Sequence, residues 1–312
     1  MKFFILILFI FSLHSADLSE VLEYSKSTEG EALLIYKNHE LILEDYHNGY
    51  QASQPHLLAS GTKTFSGLLL LIAAEQGILG LDQPITDFLP EKKGHQDWDQ
   101  ITFRQLLSLS SGIQGGSVGK VPSYQEALSK AKLNGVPGKK FNYGPVPFQL
   151  FGLALQKALE PQKKSVSQFL NEQLLNPLNL KVGSWRGLEE GTPQLPSGAY
   201  LLAKEWAKMG HLIMDQGRCE SKTILSPQSI QQLITPSTSN PNYALSIWCG
   251  KPDIFSIGTA NKINWVMAAG LGNQRCYISI TKKIVIVRFA KASRKFDDFQ
   301  FLSLLDQKLN SK

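Results

Sequence analysis

Residues 57–76 read LLASGTKTFSGLLLLIAAEQ. From Ser60 to Gln76 this stretch is apolar almost all the way round, through Phe65, Leu68, Leu69, Leu70, Leu71, Ile72, Ala73 and Ala74. A helix that is hydrophobic on every face is a buried one. Gly77 stands where a helix C-cap belongs. The pattern predicts a central helix over 60–76 with Ser60 at its N-terminus. Lys63 is out of character in its first turn. The plain alternative, a serine N-cap followed by a solvent-facing lysine, is weakened by that apolar setting.

Residues three apart on a helix share a face, so the Ser60 hydroxyl and the Lys63 amine fall within reach of each other. Serine is a weak nucleophile until a base stands beside it. A lysine inside a buried helix loses solvation, which disfavours its charged form. Two routes follow. Either a neutral Lys63 takes the proton directly, or a charged Lys63 holds another base in its anionic form. The helix N-terminus adds partial positive charge, and the Ser60 backbone N–H is a candidate oxyanion donor.

Working outward, residues 31–46 (EALLIYKNHELILEDY) read as two strands around the turn Lys37-Asn38-His39, preceded by a short helix over about 18–24. ITFRQLLSLSSGI (101–113) opens with Thr102 and Gln105 in capping-box spacing. Further helices are expected near 123–133, 146–159, 165–175 and 203–216. The last third changes character. Residues 243–249, 263–268, 275–280 and 284–290 are short and rich in Ile, Val, Tyr and Trp, and read as consecutive antiparallel strands before a helix over about 296–309. The expected class is α/β of the α+β type. One antiparallel sheet, built from both chain ends (about 17–60 and 240–312) and flanked by helices, receives an inserted, mostly helical subdomain (about 61–239). The site is expected where the two meet.

Six blocks, in order over most of residues 30–290, resemble the class C β-lactamase-like serine hydrolases, a family of β-lactamases, esterases, amide hydrolases and D,D-peptidases with a β-lactamase/transpeptidase-like fold. They are residues 57–91, 101–113, FNYGPVPFQLFGLALQKAL (141–159), LLNPLNL (174–180), GAYLLAKEWAKMGHLIMDQG (198–217) and AAGLGNQRCYISITKKIVIVR (268–288). The resemblance implies Ser60 as nucleophile, with Lys63 beside it and Tyr143 as the general base near the lysine. Free tyrosine has a pKa of about 10, and bringing it to 7 takes about 4 kcal/mol, which a Lys63 ammonium would partly supply. Gly270, Leu271, Gly272 and Asn273 are candidates for a second oxyanion N–H or pocket wall; a plain tight hairpin is the equal alternative.

Two departures stand out. The family's Tyr-x-Asn reads Tyr143-Gly144-Pro145, and no cation stands near Ala268-Ala269-Gly270 where the family carries Lys-Thr-Gly or His-Thr-Gly. A cation there would bind a substrate carboxylate. Its absence argues against a dedicated β-lactamase or carboxypeptidase. Arg275 either compensates or faces solvent. Trp248 either lines the pocket or, as strand tryptophans usually do, packs in the core. His211 reads as structural.

Composition narrows the rest. The 312 residues carry a formal charge of +6, or +5 without Lys2. The basic residues are scattered and form no stripe interleaved with aromatics, so nucleic acid is not an expected partner. The histidines show no metal-ligand spacing, and neither a metal nor a cofactor is expected. Met1-Lys2, the apolar run 3–13 and the small residues Ser15 and Ala16 match a secretory leader over 1–16. The run is shorter than the roughly 20 residues that span a bilayer. The expectation is an exported, periplasmic or secreted domain over 17–312 with no membrane span after cleavage. Cys219, Cys249 and Cys276 read as small buried hydrophobes; oligomeric state is not legible. The expected partner is a small-molecule ester, amide or peptide-like substrate cleaved through an acyl-enzyme. A β-lactamase or penicillin-recognising D,D-peptidase, and a non-catalytic binding protein on the same scaffold, stand as alternatives.

Overall fold

Helix α1 spans Ser19–Ser27, and strands β1 (Gly30–Lys37) and β2 (Glu40–Tyr46) follow as a hairpin. After the two-residue strand β3 (His56–Leu57) comes a single 3-10 turn, Ala59–Thr62, which runs directly into α2 (Lys63–Glu75). A helical stretch carries α3 (Phe103–Leu107), α4 (Tyr124–Lys130), α5 (Val146–Leu159) and α6 (Val166–Leu170), the last continued by a π-helical turn, Asn171–Leu175. Short strands β4 (Val182–Trp185), β5 (Gly187–Glu189), β6 (Thr192–Pro193) and β7 (Ala199–Leu201) lead to α7 (Ala203–Met214). A small hairpin of β8 (Arg218–Cys219) and β9 (Lys222–Thr223) precedes α8 (Pro227–Ile234). Strands β10 (Trp248–Cys249), β11 (Val266–Gly270), β12 (Gln274–Ser279) and β13 (Ile284–Ala290) precede α9 (Asp298–Asn310). The structure, a computed structural model, describes residues 17–189, 191–249 and 265–310. The leader expected over 1–16 lies outside them.

Both ends of the chain build one six-stranded antiparallel sheet, in the order β10-β11-β12-β13-β1-β2. Strand β1, next to the edge, pairs with β13 on one side and β2 on the other. Because successive side chains in a strand point to opposite faces, β1 sends Leu33 and Ile35 to one layer and Ala32 and Leu34 to the other. The first layer is closed by α1 and α9, through Val21, Phe301, Leu302 and Leu305, all fully buried. Each such side chain contributes about 1.5–3 kcal/mol on leaving water. On the opposite face α7 packs against β13, β12 and β1.

The helical part gathers around α2, which is buried from Lys63 through Ala73. The surrounding short helices start at sequence-encoded caps. Thr102, Ser123 and Ser165 each accept from the backbone three residues on, while Gln105, Glu126 and Gln168 close the reciprocal bond. Such boxes satisfy two orphan N–H groups at once.

Several expectations shift. The helix read from Ser60 begins at Lys63, because residues 59–62 wind into the tighter 3-10 turn. The helix read over 165–175 changes to π winding at Asn171. The strand read over 243–249 shrinks to Trp248–Cys249, with Tyr243 only bridged to Trp248. A second sheet, β3-β7-β4, has strands of two to four residues. It brings residues 56–57 and 199–201 together beside the nucleophile turn.

Candidate active site

The turn that carries Ser60 is held at both ends. Leu58 N–H donates to Ala199 O at 2.9 Å, and Gly61 N–H donates back to Leu58 O at 3.0 Å. Between them Ala59 sits in the left-handed region at φ 47°, which costs an L-residue about 1–2 kcal/mol. Gly61 has no room for a side chain, since a Cβ there would lie 2.7 Å from Trp206 Cζ2. The backbone is thus fixed tightly around the hydroxyl-bearing residue.

Lys63 lies one turn on, at 4% exposure. Its Nζ is 3.1 Å from Ser60 Oγ and donates to Pro196 O at 2.9 Å. No ion pair to Lys63 is found among the described residues. The rings of Tyr143 and Phe148 lie beneath the amine, 4.9 Å and 5.2 Å from it. Removed from water with no anion to compensate, the ammonium is pushed down to about 7. Near neutrality a large share of Lys63 is therefore the free amine.

Tyr143 closes the third side. Burial raises its phenol above the usual tyrosine value, and a hydrogen bond with the Ser60 hydroxyl recovers part of that shift. The resting pair near neutrality is accordingly an amine divided about evenly between its charged and free forms beside a neutral phenol. The loop before α5 is positioned by Asn142, whose N–H donates to Leu109 O at 2.8 Å.

Trp248 is half-buried and packs against both apolar layers, as its strand context favours, and its ring lies 5.9 Å from that of Tyr143 at 30°. Phe141 and Tyr243 complete the cluster, 6.2 Å and 6.4 Å from Tyr143. The aromatic character of 243–248 was visible in the sequence; its packing against residue 143 was not. Pro196 was missed altogether, because a backbone acceptor leaves no side-chain signature.

Ser60, Lys63 and Tyr143 line one narrow cleft, with Val118, Val121, Pro145 and Pro196 among its other walls. Among the described residues, Lys63 is the sole ionisable cation on these walls. Residues 270–273 are not among these walls but adjoin the nucleophile turn, where a Cβ on Gly270 would lie 2.0 Å from Leu58 O. Leu271 stands 76% exposed at the tip, and Gly272 and Asn273 take φ of 86° and 63°. Arg275 neither faces solvent nor enters the cleft. Its guanidinium is bidentate to Asp298, at 2.7 Å and 3.1 Å, and also donates to Gly270 O. Pro145 caps α5 and offers no side-chain hydrogen bond. His211 stacks on His39 and meets Tyr36 edge-on, remote from these residues in the chain's packing. No group of three metal-ligating side chains occurs among the described residues, and no described helix is long and apolar enough to cross a membrane.

Comparison with known proteins agrees with this picture. The chain is 28% identical to Protein flp of Staphylococcus aureus (strain MW2) over 172 residues, which is 49% of this chain and 34% of that protein. The match thus spans about a third of the curated relative's length. Among solved structures, a penicillin-binding protein homolog from Caulobacter crescentus superposes with a TM-score of 0.74 at 13% identity, covering 93% of this chain and 96% of that one. EstCE1, a hydrolase with promiscuous acyltransferase activity, superposes with a TM-score of 0.72 at 15% identity, covering 94% and 97%. At such identities these two share the fold. The sequence itself matches the Beta-lactamase family over residues 17–306. The chain therefore belongs to the Beta-lactamase family of serine hydrolases.

Proposed function

We propose that this protein is an exported esterase or non-peptidoglycan amide hydrolase that works through an acyl-enzyme on Ser60. The observation that carries the reading is the buried, unpaired Lys63 amine 3.1 Å from the Ser60 hydroxyl. The neutral amine takes the hydroxyl proton as Ser60 Oγ attacks the substrate carbonyl. The Ser60 backbone N–H and one N–H of the 270–273 turn receive the developing oxyanion. As the intermediate collapses, the Tyr143 phenol gives its proton to the leaving oxygen or nitrogen, and the Lys63 ammonium restores it. Water then attacks the ester on Ser60 by the same relay run backwards, which frees the product acid.

The choice of substrate rests on what the cleft lacks. A carboxylate needs a cation or a donor pair, and among the described residues the walls offer only Lys63, about half of whose charge is lost at neutral pH. Arg275 is committed to Asp298, and Pro145 replaces the side-chain amide. Val118, 62% exposed at the mouth, and Val121 favour an apolar, neutral acyl group. Export rests on the leader pattern of residues 1–16 alone, and the mass of the chain recovered from the periplasm or medium tests it.

The experiment is labelling with a fluorophosphonate followed by mass spectrometry, together with turnover of p-nitrophenyl esters. An adduct on Ser60 and loss of turnover by at least about 10³-fold in Ser60→Ala support the reading. No adduct and no turnover favour a binding protein on the same scaffold. Efficient hydrolysis of a chromogenic cephalosporin, or stable labelling by a fluorescent penicillin, favours the β-lactamase or D,D-peptidase alternative.

A further inference from the structure

Three carbonyl oxygens of the 270–273 turn are held by side chains of β12 and β13. Arg275 Nη1 donates to Gly270 O at 3.2 Å. Gln274 Nε2 donates to Gly272 O at 3.0 Å. Arg288 Nη1 donates to Asn273 O at 3.3 Å. The three donors are themselves fixed. Gln274 is 2% exposed, and its amide also donates to Ala290 O at 2.6 Å and accepts from Ala290 N–H at 3.1 Å. Arg275 is bidentate to Asp298 on α9, and Tyr277 donates to that same carboxylate. Arg288 is fully buried and donates to Ser25 and Thr28 beside α1. Gly272 fits only because it lacks a side chain, since a Cβ there would lie 2.8 Å from Gln274 Nε2.

A plain hairpin turn does not need three side-chain ties to its carbonyls, two of them from guanidinium groups of which Arg288 is fully buried. In a trans peptide the C=O of one residue and the N–H of the next lie in one plane and point opposite ways. Holding Gly270 O toward Arg275 therefore turns the Leu271 N–H away from β12. The same logic fixes the N–H of Asn273. A cation on a carbonyl oxygen also polarises the peptide, which strengthens its N–H as a donor. Gly270 meanwhile presses on Leu58 O, two residues before Ser60.

We infer that Gln274, Arg275 and Arg288 are positioning residues that lock the 270–273 turn so that the Leu271 N–H serves as the second oxyanion donor. This rests on the acyl-enzyme reading above. The positive charge of Arg275 and Arg288 is spent behind the turn, on its peptide planes. The three side chains touch no substrate and act only through the backbone.

The test compares wild type, Ser60→Ala, Gln274→Met, Arg275→Met and Arg275→Lys on p-nitrophenyl butyrate, with binding of an alkyl boronic acid as the mimic of the tetrahedral state. For Gln274→Met and Arg275→Met the expected result is a loss of about 10–100-fold in kcat, somewhat below the loss of an oxyanion donor itself. KM should stay within about threefold, since ground-state binding does not use the oxyanion site. Boronic acid affinity should fall in parallel with kcat, and Arg275→Lys should recover most of the loss. If Gln274→Met does not fold, the Met and Lys variants of Arg275 decide. Folded variants with wild-type kcat, or with losses confined to KM, overturn the inference and leave the acyl-enzyme reading standing. Wild-type turnover that survives in Ser60→Ala overturns both.

Discussion

Lys63 Nζ donates to the Pro196 carbonyl at 2.9 Å, and this bond gives the amine a direction. With one hydrogen committed to Pro196, a neutral amine can turn its lone pair to Ser60 Oγ, 3.1 Å away. A carboxylate in place of that carbonyl would hold Lys63 charged. The neutral acceptor leaves desolvation to dominate, which is why the amine titrates near neutrality.

Such a lysine is a burden to the fold. Its folded pKa is about 7 against 10.5 for the free side chain, so between those values the unfolded chain binds more protons. Stability contributed at this site therefore rises with pH from about 7 to 10.5, and the penalty is fully present below 7. Lys63→Met should raise the melting temperature, by a gain equivalent to a few kcal/mol at pH 5–6 that shrinks to near nothing by pH 10. The same variant should lose at least about 10³-fold in kcat/KM. Thermal melts across pH, wild type against variant, check the sign; a constant difference at all pH values would contradict it.

Tyr143→Phe separates chemistry from packing. The ring keeps its contacts with Phe141, Tyr243 and Trp248, so stability should change by under about 1 kcal/mol. Loss of the phenolic proton should lower kcat/KM by about 10²–10⁴-fold. The decline should be steeper for alkyl esters, whose leaving groups need a proton, than for p-nitrophenyl esters, whose leaving group does not.

The backbone around Ser60 invites two opposite substitutions. Gly61→Ala forces a methyl to within 2.7 Å of the Trp206 ring and should destabilise by about 1–3 kcal/mol. Ala59→Gly relieves the left-handed strain at φ 47° and should stabilise by about 0.5–1 kcal/mol after the added chain entropy is counted. Urea titrations of both variants measure the pair. Equal and same-signed shifts would contradict the geometry.

Substrate charge is the next handle. With Arg275 bound to Asp298 and Pro145 beside Tyr143, p-nitrophenyl butyrate should exceed a chromogenic cephalosporin in kcat/KM by at least about 100-fold, since a buried, unpaired carboxylate is costly. Steady-state rates on both substrates decide this.

Much of the architecture was legible in the chain because its signals are long. The apolar run of 63–75 and the Ile-Val stretch 284–290 form the helix and strand that their periodicity indicates. The pairing of Ser60 with Lys63 follows from helical spacing, and a 3-10 turn at 59–62 still brings them together. What stayed hidden depends on contacts distant in sequence. Strands β3 and β7 are too short to show alternation. The Pro196 carbonyl is backbone, and the commitment of Arg275 is decided by Asp298, 23 residues on. The charge state of Lys63 likewise depends on what is absent around it, which no local pattern encodes.

The central claim is that the Lys63 amine is the base for Ser60, and the pH dependence of kcat/KM on a neutral ester tests it most directly, because that profile reports the free enzyme. The account predicts a rate that rises about tenfold per pH unit below an apparent pKa near 7 and then levels off. A rate independent of pH from 5 to 9, or one that keeps climbing toward pH 10 as a free lysine or tyrosine would require, would contradict it.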